Sequence, residues 1–174
     1  MTTATAFRSS ATNNVNEQRV ARFAGTTIGL FTVVWAFLLS GLLGENVLAS
    51  EPWQLASHGL SLLSALAVYL YCRRLAHRTG ASGLLCFAAV AFFVADVALG
   101  FLYSPFFGIA LIAWAASARR PFLAATGVLA LGAAVVARLG HELDAVVVAA
   151  SGVIILAIAA WPAQSTGKAK VGNR

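Results

Sequence analysis

The sequence predicts an all-α integral membrane bundle of six transmembrane helices, with both termini on the cytoplasmic side. Three observations support this fold class. Hydrophobic residues make up 60% of the 174 residues and charged residues only 10%, against roughly 45–50% and about 25% in soluble domains. The hydrophobic residues occur in long runs, and the basic residues form short clusters between those runs. Such clusters are typical of the positive-inside pattern of membrane proteins.

A chain of this length cannot hide so much apolar surface from water, because small domains leave a large share of their surface exposed. The lipid bilayer is therefore the predicted environment. The expected location is the cytoplasmic (plasma) membrane of a bacterium, since Ala, Gly, Val and Arg are abundant. The net charge of +6 does not indicate nucleic-acid binding, because the basic residues do not form one continuous face.

The first predicted span follows a polar cytoplasmic tail, residues 1–22. We expect no regular structure in the first dozen residues, whereas Asn14 and Glu17 resemble a capping box at which a helix can begin. The apolar run from about 23 to 43 is longer than the apolar core of a typical signal peptide. We therefore interpret it as an uncleaved span, with cleavage before Ser50 as the alternative.

Polar or basic breaks separate the remaining spans. Arg73 and Arg74 follow the second span, and Pro105 is well placed for the first turn of the fourth. Arg119 and Arg120 separate the fourth span from the fifth. The six predicted spans are about 23–43, 53–72, 83–103, 105–118, 121–139 and 143–161, and a basic cytoplasmic tail occupies 163–174.

The fourth predicted span is short. Its 14 residues reach about 21 Å along a helix, less than the ~30 Å hydrocarbon core. The charge distribution nevertheless favours it as a span. With six spans, eleven of the twelve Lys and Arg residues are cytoplasmic and four of the six acidic residues are outside, as the positive-inside rule requires. Arg138 is the one basic residue placed otherwise.

Three ionisable residues fall within the predicted spans: His58, Asp96 and Arg138. Counted from Arg73, Ala81 and Pro121 at the cytoplasmic side, they lie 15, 15 and 17 residues along their helices. They therefore share a height in the outer half of the membrane. Charged side chains in hydrocarbon normally face the bundle interior and pair with one another. We therefore predict an ion pair between Asp96 and Arg138, with His58 close by.

Helical spacing adds further residues to this polar cluster. Ser61 lies one turn from His58, Tyr103 shares a face with Asp96, and His141 follows Arg138 by one turn. The candidate residues for substrate binding or proton coupling are His58, Ser61, Asp96, Tyr103, Arg138 and His141.

Three functions are consistent with such an outward-facing cluster. The leading hypothesis is binding or transport of a small solute or ion, with Asp96 and His58 as ligand-binding or proton-coupling groups and Arg138 as the counter-charge. The second is a non-catalytic accessory, assembly or immunity protein, in which the cluster only holds helices together. The third is a small membrane-embedded enzyme that uses His58 and Asp96 as acid and base on a lipid-like substrate.

Narrower chemistries have less support in the sequence. The alternatives are haem ligation by His58 and His141, a metal site that adds Glu142 and Asp144, and a hydrolytic set that includes Ser61. Because no metal-ligand spacing or nucleotide motif is present, we predict no cofactor, no metal and no catalytic residues. The expected partners are the bilayer, a small solute or ion, and a second copy of the chain or a membrane partner protein.

Overall fold

The computed structural model describes residues 3–40, 51–75, 80–101, 103–139 and 144–161. These ranges contain six α-helices and no strand. The helices are α1 Thr3–Leu39, α2 Glu51–Arg74, α3 Gly80–Leu99, α4 Phe106–Ala118, α5 Pro121–Leu139 and α6 Asp144–Ala160. The predicted all-α fold is confirmed. Residues 41–43 of the first predicted span, residue 143, His141 and the predicted tail at 163–174 lie outside the described residues.

The first helix begins earlier than the sequence predicted. It starts at Thr3, about one dozen residues before Asn14, so the segment expected to be irregular belongs to the helix. No Pro or Gly occurs before Gly25, and the strongest helix breakers are therefore absent from this stretch. At the fourth helix the sequence prediction is closer, since Pro105 is the N-cap and Phe106 the first helical residue.

Two helical segments are long and apolar enough to cross a membrane: Val15–Leu39 in α1 and Pro121–Leu139 in α5. Three further apolar helical segments are shorter: Gly83–Leu99, Phe106–Ala118 and Asp144–Ala160. By length and composition, the protein is helical and has two candidate membrane-spanning helices.

The helices form a closed ring in which neighbours in the chain pack on one another. The most extensive contacts are between α1 and α6, the first and last helices, followed by those between α4 and α5. Contacts of α2 with α3, of α5 with α6 and of α1 with α2 complete most of the ring, and α3 touches α4 more lightly. Because α1 also packs on α4 across the ring, these two helices form the centre of the bundle.

Glycines allow the two closest helix pairs to approach. A Cβ atom on Gly29 of α1 would lie 2.8 Å from Cγ of Leu156 on α6. Between α4 and α5, a Cβ on Gly108 would lie 2.7 Å from the carbonyl oxygen of Gly127, and one on Gly127 would lie 2.8 Å from the carbonyl oxygen of Gly108. Backbone therefore meets backbone at this crossing, which is the use of small residues typical of membrane helix pairs.

Two helix ends are closed by residues in the left-handed conformation. Gly100 has φ 65° and ends α3, and the amide of Phe101 donates to the carbonyl of Asp96 over 3.1 Å. Arg119 has φ 52° and ends α4, and the amide of Arg120 donates to the carbonyl of Ala115 over 3.0 Å. Both are Schellman-type ends, for which glycine is the usual residue.

The bundle buries many alanines beside a few large aromatic side chains, and it exposes many large hydrophobic ones. Alanine accounts for 13 of the 27 buried hydrophobic residues in the described ranges, whereas 23 large hydrophobic side chains are exposed there. Phe87 is 75% exposed on α3 and Phe122 is 76% exposed on α5. Soluble proteins rarely expose large continuous apolar surfaces, so the exposed Val, Leu, Ile and Phe side chains are the unusual part of this distribution.

Candidate functional site

Asp96 lies near the end of α3 and is completely buried, with 0% of its surface exposed. In the part of the chain that the structure describes, neither carboxylate oxygen accepts a hydrogen bond. The Ser104 hydroxyl lies near this carboxyl group without reaching hydrogen-bond geometry. It accepts a hydrogen bond from the amide of Phe106 over 3.2 Å, which leaves its own hydrogen available to Asp96. The α3 turn at Gly100 brings the Tyr103–Ser104 segment back against the helix that carries Asp96.

His58 of α2 is also buried, with 7% of its surface exposed. Its Nδ1 atom has no hydrogen-bond partner among the described residues. The register of α2 against α3 is given by the Cys86 thiol, which donates to the carbonyl of Ala65 over 3.7 Å. Helices α2 and α3 are antiparallel, so His58 and Asp96 both lie toward the same end of the bundle from that contact. His58 is roughly 10 Å from it along α2, and Asp96 is roughly 15 Å from it along α3. The two residues are therefore within about one helical turn in height.

Tyr103 connects the α3–α4 turn to α1. Its hydroxyl lies 2.7 Å from Oγ1 of Thr32, and the Thr32 hydroxyl donates to the carbonyl of Ile28 over 2.8 Å. Because a threonine hydroxyl has only one hydrogen to donate, Tyr103 is the donor in the bond to Thr32. The Tyr103 ring stacks on Phe107 with 5.4 Å between centroids, and the Tyr103 side chain is fully buried.

Trp35 of α1 completes the cluster and was not predicted from the sequence. Its ring centroid lies 5.9 Å from that of His58 and 5.7 Å from that of Tyr103. The indole Nε1–H is buried without an acceptor in the described ranges. The sequence contained a pattern that could have identified Trp35. It lies one turn from Thr32 on α1, and two residues with polar atoms therefore share a face of an apolar helix.

We call this group the Asp96 cluster. It comprises Thr32, Trp35, His58, Asp96, Tyr103 and Ser104. Five buried side-chain polar atoms lack a hydrogen-bond partner in the described part of the chain, and four of them belong to Trp35, His58 and Asp96. Leaving a buried polar group unsatisfied costs about 1–3 kcal/mol. Trp35 lies beside His58 and Tyr103, and Asp96 is linked to this group through Ser104, the neighbour of Tyr103.

The predicted ion pair between Asp96 and Arg138 does not form. The Arg138 side chain is exposed on α5, and its guanidinium carbon lies 4.4 Å from the centre of the Phe101 ring. The reason is the order of the helices: α4 packs on both α3 and α5, and α5 packs mainly on α4 and α6. Arg138 therefore binds an aromatic ring at the rim of the bundle and does not act as a counter-charge to Asp96.

Ser61 and His141 do not join the Asp96 cluster in the described residues. The Ser61 hydroxyl is buried and donates to the carbonyl of His58 on its own helix over 2.8 Å. The Ser61 hydroxyl is therefore directed at the backbone. A nucleophilic serine would instead direct its hydroxyl at the ring of a base such as His58. His141 lies outside the described residues, as does Glu142, another member of the alternative metal set.

No group of three or more His, Cys, Asp or Glu side chains converges within the described ranges. A narrow groove elsewhere in the bundle is lined by residues that include Ser64, Phe106 and Trp114 but by no member of the Asp96 cluster, and it has space for about one water molecule. Comparisons of the chain with protein families, curated proteins and solved structures found no match in any of the three.

Proposed function

We propose that this chain is a six-span membrane protein that binds a proton or a small cation at Asp96, as the ion-binding step of transport. The observation that carries this proposal is the buried carboxyl group of Asp96, whose two oxygens accept no hydrogen bond from the described residues. An isolated ionised carboxylate is expensive to bury. A proton or a cation is the kind of ligand that would remove that cost.

The membrane part of the proposal is supported by the exposed surface. Large hydrophobic side chains cover the outside of α3 and α5, while alanine fills much of the interior. Lipid accepts such a surface, and membrane helix pairs use small residues at their contacts. The α4 helix has 13 residues and spans only about 20 Å, so flanking Arg119 and Arg120 would have to extend toward the headgroups.

The orientation is supported by charge. Arg22 and Arg120 contact the last turn of α6 and the residue after it, and Phe23 stacks on Tyr71 near the end of α2, where Arg73 and Arg74 follow. These basic residues therefore share one end of the bundle. The positive-inside rule makes that end cytoplasmic, so the Asp96 cluster belongs to the outer half of the membrane and both termini are inside.

The competing hypotheses receive less support from the geometry. If the cluster served only to join helices, Asp96 would be expected to bond a neighbouring helix, as Tyr103 does with Thr32 over 2.7 Å. An enzyme acting through Ser61 would need its hydroxyl directed at a base, but that hydroxyl donates to the backbone carbonyl of His58. Neither requirement is met, and ion binding accounts for the unpartnered oxygens directly.

The test combines chemical labelling with flux. A hydrophobic carbodiimide reacts with a protonated carboxyl group in an apolar site, and intact mass reports the adduct. We expect one adduct on the wild-type chain, protection by raised pH or by added Na⁺, K⁺ or methylammonium, and no adduct on Asp96→Asn. Glu17→Gln is the matched control, because it removes a carboxylate near Ser117 at the opposite end and should keep the adduct.

Proton flux is then measured in vesicles that contain a pH-sensitive dye, with a potential set by K⁺ and valinomycin. Wild-type and Glu17→Gln vesicles should acidify faster than protein-free vesicles, and Asp96→Asn vesicles should not. The proposal is wrong if Asp96 stays unlabelled at every pH and the Asp96→Asn variant gives the same flux as the wild type.

A further inference from the structure

Two arginines cap the end of α6. Arg22 of α1 donates from Nε to the carbonyl of Ala159 over 3.3 Å and from Nη2 to that of Ala160 over 3.2 Å. Arg120, between α4 and α5, donates from Nη2 to the carbonyl of Trp161 over 3.2 Å. The last carbonyls of a helix lack partners within it and carry partial negative charge. These bonds satisfy three of them with cations.

The positive charge of the two guanidinium groups at the end of α6 is not neutralised by an acidic side chain of the described residues. Burial, and then the neighbouring Arg22 guanidinium, lower the pKa of Arg120, so the two cations are close enough to repel. No ion pair joins either one to an acidic side chain within the ranges the structure describes. Only three of their N–H groups donate to the described part of the chain, and the remaining N–H groups have no partner among those residues.

The surroundings suit an anion that carries acyl chains. Helix α5 begins at Pro121, directly after Arg120, and its dipole favours negative charge at this end. Pro121 has no N–H and the amides of Leu123 and Ala124 donate to the carbonyl of Arg120, so the arginines supply the donors. Phe122 is 76% exposed and Trp161 is 65% exposed, so large apolar side chains lie beside the arginines. Tryptophan is enriched where a membrane meets water. Cation, helix N-terminus and exposed aromatic surface therefore coincide at one rim of the bundle.

We propose that Arg22 and Arg120 bind the phosphate group of an anionic phospholipid at the cytoplasmic rim. Guanidinium groups bind phosphate oxygens in pairs of charge-assisted hydrogen bonds, and a phosphate between them relieves their mutual repulsion. The bound lipid would fix α1, the α4–α5 junction and the end of α6 together. This inference rests on the membrane placement in the proposed function and is independent of ion binding at Asp96.

Binding is measured by native mass spectrometry of the protein purified in a neutral detergent, with added phosphatidylglycerol, phosphatidylcholine or inorganic phosphate. We expect phosphatidylglycerol to bind at least about tenfold more tightly than phosphatidylcholine, and the Arg22→Gln/Arg120→Gln variant to lose about tenfold or more of that affinity. The matched control is Arg73→Gln/Arg74→Gln, which removes two exposed charges from the same end and should keep most of the affinity.

The glutamine pair also removes the α6 cap, so Arg22→Lys/Arg120→Lys supplies a second variant. Lysine keeps the charge but loses the paired hydrogen bonds, and phosphatidylglycerol affinity should fall by a few-fold. Equal losses in the Arg73 and Arg22 pairs, or no preference for phosphatidylglycerol, would overturn the inference. Binding of inorganic phosphate without phosphatidylglycerol would overturn the lipid assignment.

Membrane integration is scored separately, by resistance to alkaline carbonate extraction. A chain released by carbonate would contradict the proposed function. An integrated chain without lipid selectivity would contradict only the proposed lipid site.

Discussion

Replacing Gly127 with alanine should destabilise the bundle at the α4–α5 crossing. The added Cβ would lie 2.6 Å from Cγ1 of Ile112, 2.8 Å from the carbonyl oxygen of Gly108 and 3.0 Å from the amide nitrogen of Ile112. Two of these atoms belong to the α4 backbone, which cannot rotate away as a side chain can. The helices must therefore separate.

The size of the effect follows from those distances. Carbon atoms are at their best separation at about 3.5–4.0 Å, so the pair must open by roughly 0.7 Å or more. Overpacking of this kind costs about 1–3 kcal/mol, and backbone contact places it near the upper half of that range. Alanine recovers about 1 kcal/mol through its higher helix propensity. The net loss should be about 1–2 kcal/mol.

Gly132 supplies the matched control, since it lies on the same helix and an added Cβ there meets nothing within 4 Å. Gly132→Ala should gain up to about 1 kcal/mol, so the two variants should differ by about 2–3 kcal/mol. The assay is reversible unfolding in mixed micelles at rising SDS fraction, followed by circular dichroism. Equal stability of the two alanine variants would refute the close backbone crossing.

Three further predictions use the same unfolding assay. Arg119→Gly should stabilise the chain by about 0.5–1 kcal/mol, because φ is 52° there and glycine adopts that conformation without strain; Arg119→Ala should bring no such gain. Tyr103→Phe should cost about 0.5–1.5 kcal/mol by removing the bond to Thr32, and in a double-mutant cycle it should be non-additive with Thr32→Val. Asp96→Asn should leave stability unchanged or higher, because the carboxylate loses no bond; a loss above about 1 kcal/mol would indicate a structural role.

Much of the architecture follows from local patterns in the sequence. Composition, apolar runs and basic breaks predict six helices, and Pro105 predicts where the fourth begins. The same patterns identify His58, Asp96 and Tyr103 as interior residues, and all three are buried. Helical periodicity was sufficient here because it reports which face of a helix avoids solvent.

The partners of those buried faces could not be predicted in the same way. Periodicity does not say which helix lies opposite, so Arg138 was paired with Asp96 although α4 lies between their helices. Trp35 was missed for a related reason, since its contact with His58 joins two helices whose relative rotation is set by the whole ring. The charge argument also assumed that an arginine needs an acid, whereas Arg138 uses the Phe101 ring.

The pairing of α1 with α6 has a consequence for how the chain is made. Helix α1 is synthesised well before α6, its main neighbour, and Gly25 and Gly29 lie at the contact between them. During translation these α1 glycines lack their contacts with α6 until α6 has been synthesised, because contacts between distant parts of a chain form late. A chain whose synthesis stopped before residue 144 would therefore contain α1 to α5 with the α6 position of the ring open, and the α1 glycines would be uncovered at that gap.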